Sequence, residues 1–325
     1  MTTRPSLAAV VSCLVAAAIL AVLPFLISGY HQGLLTQVAV FFIAILGLDV
    51  LTGYSGQISI GHGAFMAVGG YTTAVMSYYH HTNLIVTMLM AFGICLAFGF
   101  VVGLPALRLS GVYLALATFA LAVSMPQIPL KFSRFLGGSN GLQAQTVSHL
   151  WLYGVAWAAA AILFVGAWLI LRGRTGRAFR AIRDSEVAAT SSGVELPIYK
   201  TLAFGISAAY AGVAGSLFVL ATNGYASPNE FTVALSLQIL IGAAVAGLGS
   251  LWGVLVGAVF VGLLPEVSSS VPVVGSTHGQ DVVFGLFVIV VILLMPTGFA
   301  GLLARLRVRL TRQSMASINS DPGTS

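Results

Sequence analysis

RGRTGRAFRAIRDSEVAATSSGVELPIYK, residues 172–200, decides how the rest of the chain is read. It holds Arg172, Arg174, Arg177, Arg180, Arg183, Lys200, Asp184, Glu186 and Glu195. These are nine of the 22 formal charges (14 basic plus 8 acidic) in 325 residues. A charge at the centre of a bilayer costs about 2.5–3.5 kcal/mol or more. This stretch therefore belongs in water, while the sequence on both sides is built for lipid.

The remaining composition agrees. The chain is 58% hydrophobic and only 7% charged, where a soluble domain carries roughly 25% charge. Mean hydropathy is +1.00. Glycine is abundant, at 37 residues, as in transmembrane helices whose backbones approach closely. The net charge of +6 does not point to nucleic acid, because the basic residues lie between and after apolar runs. Cys13 and Cys95 sit in separate apolar runs and form no metal or redox pattern. The expected fold class is an all-α polytopic membrane protein, a single transmembrane domain over residues 1–325.

About 20 apolar residues cross a bilayer. Ten runs qualify as candidates: 7–27, 34–51, 64–79, 84–107, 112–130, 150–171, 201–221, 233–248, 251–264 and 282–295. The first follows Arg4 and is longer than the apolar part of a signal peptide, so it is expected as a retained helix. With ten crossings and both termini cytoplasmic, 12 of the 14 basic residues fall on the cytoplasmic side. Lys131 and Arg134 are the two outside. That asymmetry is the positive-inside rule. The basic tail, 303–325, is expected to be disordered.

The ten spans divide five and five about the charged stretch. An odd number per half means that related halves would be inverted repeats. Two glycine breaks are offered as matching pieces: Gly53-Tyr54-Ser55-Gly56 and Gly247-Leu248-Gly249-Ser250.

The first of these breaks belongs to TGYSGQISIGHG, residues 52–63. Four glycines there punctuate Tyr54, Gln57, Ser59 and His62. Irregular backbone at membrane depth survives only inside protein or beside a wet cavity, and in transporters such breaks mark the substrate path. The alternative is a short cytoplasmic turn with tight glycine packing. Asp49, just before, is the only carboxylate in the first five spans, and is either a functional acid or a solvated helix end. His62 reads as a packed or interfacial histidine. LGGSNGL, residues 136–142, carries turn signals in the outer loop.

Within 172–200, Thr175 caps an expected helix running to about Ser191, stopped by Gly193 and Pro197. Ala178, Ala181, Ile182, Ser185, Ala188 and Ala189 give it a small-residue face. Arg180 and Asp184 are spaced to pair at i,i+4. Such a helix fits a groove on another protein. The alternative is a basic loop drawn to anionic headgroups of the membrane lipid. No nucleophile with a base, no metal cluster and no nucleotide-binding loop accompanies these features. An ion-coupled secondary transporter using Asp49 is the competing class.

The order of motifs resembles the branched-chain amino acid ABC-transporter permeases, LivM type. The segments that carry it are LGLDVLTGYSGQISIGHGAFMAVGGYT (46–72), RLSGVYLALATFAL (108–121), GGSNGL (137–142), the charged stretch continued to 218, AGLGSLWGVLVGA (246–258) and MPTGFAGL (295–302). The resemblance implies an importer subunit in the bacterial inner membrane that binds no cofactor itself, ATP and Mg being used by a partner. The implied partners are two ATP-binding subunits, a second, LivH-like permease and a periplasmic binding protein. It implies that the cytoplasmic loop docks on the ATPase through Arg177, Arg180, Ala181, Arg183, Asp184, Glu186, Ala189 and Gly193. The translocation path is implied at Asp49, Gly53, Tyr54, Gly56, Gln57, Ser59, Gly61, His62 and Phe65. The periplasmic loop is implied at Gly137, Gly138, Ser139, Asn140 and Gly141. Two departures stand out: a neutral amide is usual at Asp49, and alanine at Gly70. Relatives of this type also carry urea or short amides. In the expected cycle, ATP closes the nucleotide-binding subunits, tilts the docking helix and moves the spans at 150–171 and 201–221.

Overall fold

A backbone surrounded by lipid must satisfy its own hydrogen bonds, and an uninterrupted apolar run does so as a helix. The structure, a computed structural model, describes residues 28–109 and 111–269, with Pro24, Gly285, Ile289, Leu293, Gly298, Phe299 and Gly301. Apart from those single positions, the expected spans at 7–27 and 282–295 lie outside the described residues, as do the tail at 303–325 and its arginines. Each of the other eight expected spans coincides with helix.

In order these are α1 (Gly29–Leu48, continued by a π-helical turn Asp49–Tyr54), α2 (His62–His80), α3 (Leu84–Ala106), α4 (Val112–Ser124), α5 (Gln127–Lys131) and α6 (Ser133–Leu136). Strand β1 (Leu142–Gln143) precedes α7 (His149–Arg172), α8 (Arg174–Asp184), α9 (Glu186–Ser191) and α10 (Leu196–Ala221). Strand β2 (Tyr225–Ala226), α11 (Val233–Ala246) and α12 (Gly253–Ser269) follow. Six helical segments among the described residues are long and apolar enough to cross a membrane. The run at 112–130 is not one rod: α4 stops at Ser124, and Pro126, which has no N–H to give, starts α5.

The core lies along α1 and α10. In α10, 89% of the best membrane window is buried, against 22% in α7. α10 packs on α3, α2 and α1, and α1 packs also on α7 and α12. Small residues let α10 approach its neighbours at backbone distance. A Cβ on Gly69 of α2 would stand 2.0 Å from the Gly212 carbonyl oxygen, and one on Gly215 would stand 1.9 Å from that of Met66. With no hydrophobic drive between helices in lipid, such close packing holds them together. Leu89, Val101, Ile162 and Leu169 point outward from α3 and α7. Such an apolar surface is suited to lipid or to another membrane helix. At the end of α7, Arg172 lies over the Trp168 ring at 3.9 Å, a cation and an aromatic ring suited to the membrane interface.

The two ends of the bundle differ. At one end β1 and β2 pair antiparallel, Leu142 opposite Ala226 and Gln143 opposite Tyr225. Ala144 N–H donates to the Gly224 carbonyl at 2.6 Å, and Gln145 N–H to Ser77 Oγ at 2.8 Å. This sheet end joins the segments before α7 and after α10 to the end of α2. The charged stretch lies at the opposite end, between α7 and α10.

Candidate functional site

At the charged end, α1 finishes in a π turn. Such turns are rare and are frequent at functional sites. Asp49 opens the turn and is 1% exposed, so it is not a solvated helix end. Its carboxylate folds over Gly53, where a Cβ would stand 2.1 Å from Oδ1. Oδ1 then accepts a hydrogen bond from Gly249 N–H at 2.7 Å. Gly249 has φ +84°, in the left-handed region open to glycine, and lies in the turn from α11 to α12. Oδ2 has no hydrogen-bond partner.

A third segment closes on this point. Arg183, near the end of α8, donates from Nη1 to the Gly53 carbonyl. A Cβ on Gly249 would stand 2.7 Å from the same Nη1. Gly56, with φ +74°, leaves room for the Arg183 backbone, whose Cα would be 3.2 Å from a Cβ there. Residues expected in two separate groups, path and docking, thus meet at Gly53.

Beyond Ser55 the chain runs without helix to Gly61, largely inside the protein. Gln57 and Ser59 are buried, as are His62 and Phe65 beyond them. Hydroxyls from distant helices take up its backbone donors. Ile60 N–H donates to Thr118 Oγ1 at 3.0 Å and Gly63 N–H to Ser236 Oγ at 2.9 Å. Thr52 Oγ1 donates to the Gln57 carbonyl at 3.0 Å, and Gln57 Nε2 donates to Ser55 Oγ at 2.9 Å. His62 Nε2 and Ser207 Oγ are 3.1 Å apart, and Nδ1 has no partner. The break is an internal, hydrogen-bonded joint between α1 and α2, not an exposed turn.

The charged stretch differs from the single helix expected from Thr175 to Ser191. Ser185 is extended (φ −164°, ψ 117°) and ends α8; its Oγ caps α9 by accepting from Ala188 N–H. The signal was present as Ser185-Glu186 ahead of small residues, an N-terminal pattern. Half of the small-residue face turns inward, while Ser185 and Ala188 stay exposed. Ala178, Ile182 and Ala189 are buried with Phe179, whose ring meets Tyr199 edge-on at 6.5 Å. Arg180 does not pair with Asp184; its Nη1 donates to the Leu171 carbonyl at 3.2 Å. The ion pair in this stretch joins Lys200 Nζ to Glu186 Oε1 at 2.7 Å. Arg177, Asp184, Glu186 and Gly193 are exposed, Ala181 is half-buried, and Val187 is 79% exposed.

Gly137, Gly138 and Gly141 all have positive φ and shape the turn into β1. A Cβ on Gly141 would stand 2.5 Å from the Ala226 carbonyl oxygen. Ser139 and Asn140 are exposed in this turn.

Residues 30–295 match the family described as the branched-chain amino acid transport system permease component. The chain belongs to that family. Within it the permease is similar to the "High-affinity branched-chain amino acid transport system permease protein LivM" of Salmonella typhimurium. The two are 32% identical over 270 residues, 73% of this chain and 63% of the relative. Similarity to the Escherichia coli K12 protein of that name is 32% identity over 281 residues, 76% of this chain and 66% of the relative. The chain thus spans just under two thirds of the length of either. It is also 28% identical to LivH of Salmonella typhimurium over 191 residues, 58% of this chain and 59% of that one. No solved structure matches. With this membership and its apolar helices, the permease is a multi-pass membrane protein of LivM type.

Proposed function

We propose that this chain is the membrane-spanning subunit of an ATP-driven importer of leucine, isoleucine and valine in the bacterial inner membrane. Two ATP-binding subunits, a second, LivH-like permease and a periplasmic binding protein complete the machine. The chain binds no cofactor; ATP and Mg belong to the ATP-binding subunits. Ten crossings with both termini in the cytoplasm place the charged end inside and the sheet end outside.

The observation that carries this reading is the meeting of α8, the π turn and the α11–α12 turn at Gly53. A docking element is useful only if its movement reaches the spans, and here it bonds directly to the glycine break. Closure of the ATP-binding subunits displaces α8 and α9. Arg183 and the Gly56 contact pass that motion to α1, and Asp49 passes it to α11 and α12. The docking surface is the exposed side of α8 and α9: Arg177, Asp184, Glu186 and Val187.

The paired glycine breaks do not support an inverted repeat, because they touch at one end of the bundle. Inverted repeats carry matching segments to opposite ends. The fitting counterpart of 52–63 is 222–232, after α10, where Thr222, Gly224 and Tyr225 echo Thr52, Gly53 and Tyr54. Among the described residues, α1 and α10 are also the two most buried spans. On that match the halves are inverted repeats.

The test is to co-express the chain with ATP-binding and second permease subunits, and to assay proteoliposomes with the binding protein. ATP-dependent leucine uptake by the assembled complex is expected. Uptake by this chain alone, driven by an ion gradient, would overturn the proposal.

A further inference from the structure

Lys131 and Arg134 are the two basic residues that the positive-inside count leaves outside. Both are exposed, Lys131 at the end of α5 and Arg134 in α6. Among the described residues neither has an acidic partner. Glu230 lies in a turn packed against α5 but pairs with neither. Apolar side chains alternate with the two cations: Ile128, Leu130, Phe132 and Phe135 are 41–64% exposed. A short segment that mixes cations with Phe and Leu suits the plane where acyl chains meet headgroups. Depth agrees with that placement. From Val112 to Lys131 the chain runs 20 residues, at most about 30 Å of helix. The hydrocarbon core is about as thick, so Lys131 lies at its boundary.

The same two short helices wall a cavity of about 320 Å³. Val68 and Met76 line it from α2, Ile94 from α3, Ile128 from α5 and Leu136 from α6. Ile94 and Ile128 are exposed, so the cavity opens on the outer face of the bundle. An acidic protein could meet the cations but would leave the apolar cavity unfilled. A phospholipid answers both features at once, with an acyl chain for the cavity and a phosphate for the cations. We propose that this cavity takes one acyl chain of an anionic phospholipid, whose phosphate is held by Lys131 and Arg134. The site goes beyond the importer reading and does not depend on it.

The test is native mass spectrometry of the full-length chain released from nanodiscs. These hold equal amounts of phosphatidylglycerol and phosphatidylcholine with the same acyl chains. Wild type is expected to retain phosphatidylglycerol in preference to phosphatidylcholine. Lys131→Gln combined with Arg134→Gln is expected to cut that preference about tenfold or more, the scale of two cations near an anionic surface. Ile94→Trp blocks the mouth of the cavity and is expected to lower retention of both lipids. All three positions are exposed, and unchanged thermal unfolding checks that the variants are folded. Equal retention of the two lipids by wild type, or wild-type retention by both variants, overturns the site. Displacement of phosphatidylglycerol by glycerol phosphate would mean a site for a soluble anion and overturns it too. So does a double variant that keeps its lipid but no longer captures a periplasmic binding protein, since the cations would then serve an acidic protein face.

Discussion

Arg183 donates a hydrogen bond to the backbone carbonyl of Gly53, 130 residues earlier in the chain. A charged side chain of the water-facing stretch thereby holds the end of the most central part of α1. Arg183→Ala removes that bond while leaving the exposed surface of α8 and α9 in place. Co-purification with the ATP-binding subunits is expected to persist, while transport falls at least about tenfold, the scale of a hydrogen bond to a charged group. ATP hydrolysis is expected to fall less than transport. Wild-type coupling in this variant, measured as leucine imported per ATP, would refute the relay.

Asp49 uses one oxygen as an acceptor for Gly249 N–H. Asn offers an equivalent oxygen and can accept the same bond. Asp49→Asn is expected to keep transport within a few-fold of wild type. Asp49→Leu leaves the part-buried Gly249 N–H without its acceptor, at a cost of up to about 1–3 kcal/mol, and is expected to lower the thermal unfolding temperature and transport together. Loss of transport in a stable Asp49→Asn protein would instead favour a role for the carboxylate in ion coupling.

Gly53→Ala and Gly249→Ala place a methyl group 2.1 Å from Asp49 Oδ1 and 2.7 Å from Arg183 Nη1. Gly249→Ala also demands a left-handed alanine. Each is expected to destabilise by more than about 1 kcal/mol. Gly53→Ala is the more severe, because a backbone nitrogen also lies 2.5 Å from its new Cβ. Gly154→Ala, with nothing within 4 Å, is the control. Thermal unfolding in detergent ranks the three.

Val187 is exposed on α9 and Ala178 is buried on α8. Val187→Asp is expected to weaken capture of the ATP-binding subunits several-fold while leaving thermal stability unchanged. Ala178→Leu overpacks the interior of the stretch and is expected to cost about 1–3 kcal/mol. Unaltered capture by Val187→Asp would remove α9 from the docking surface.

The helices were legible because the signal is uniform: an apolar run without charge has few other ways to satisfy its backbone in lipid. The charged stretch was legible as a water-facing element for the same reason. Its face was not. Spacing marked Ala178, Ile182 and Ala189 as a stripe, but whether a stripe of small residues meets its own chain or a partner depends on tertiary packing. The bend at Pro126 and the cap at Ser185 were written locally and could have been read. The bonds Arg183–Gly53 and Asp49–Gly249 could not, since they join positions far apart in sequence through backbone atoms that every residue possesses.

In the proposed cycle the small β1–β2 sheet is the fulcrum. Its bonds join loop to loop at one end, while the proposed drive enters through α8 at the other. A helix of 24 residues such as α7 is about 36 Å long. A tilt of about 5° about the sheet would move its far end by about 3 Å. That is the displacement which the Arg183–Gly53 bond would carry into α1, while Leu142 and Ala226, beside the pivot, stay paired. The lever arm sets the direction in which a push is amplified: small at the sheet, large where α8 meets Gly53.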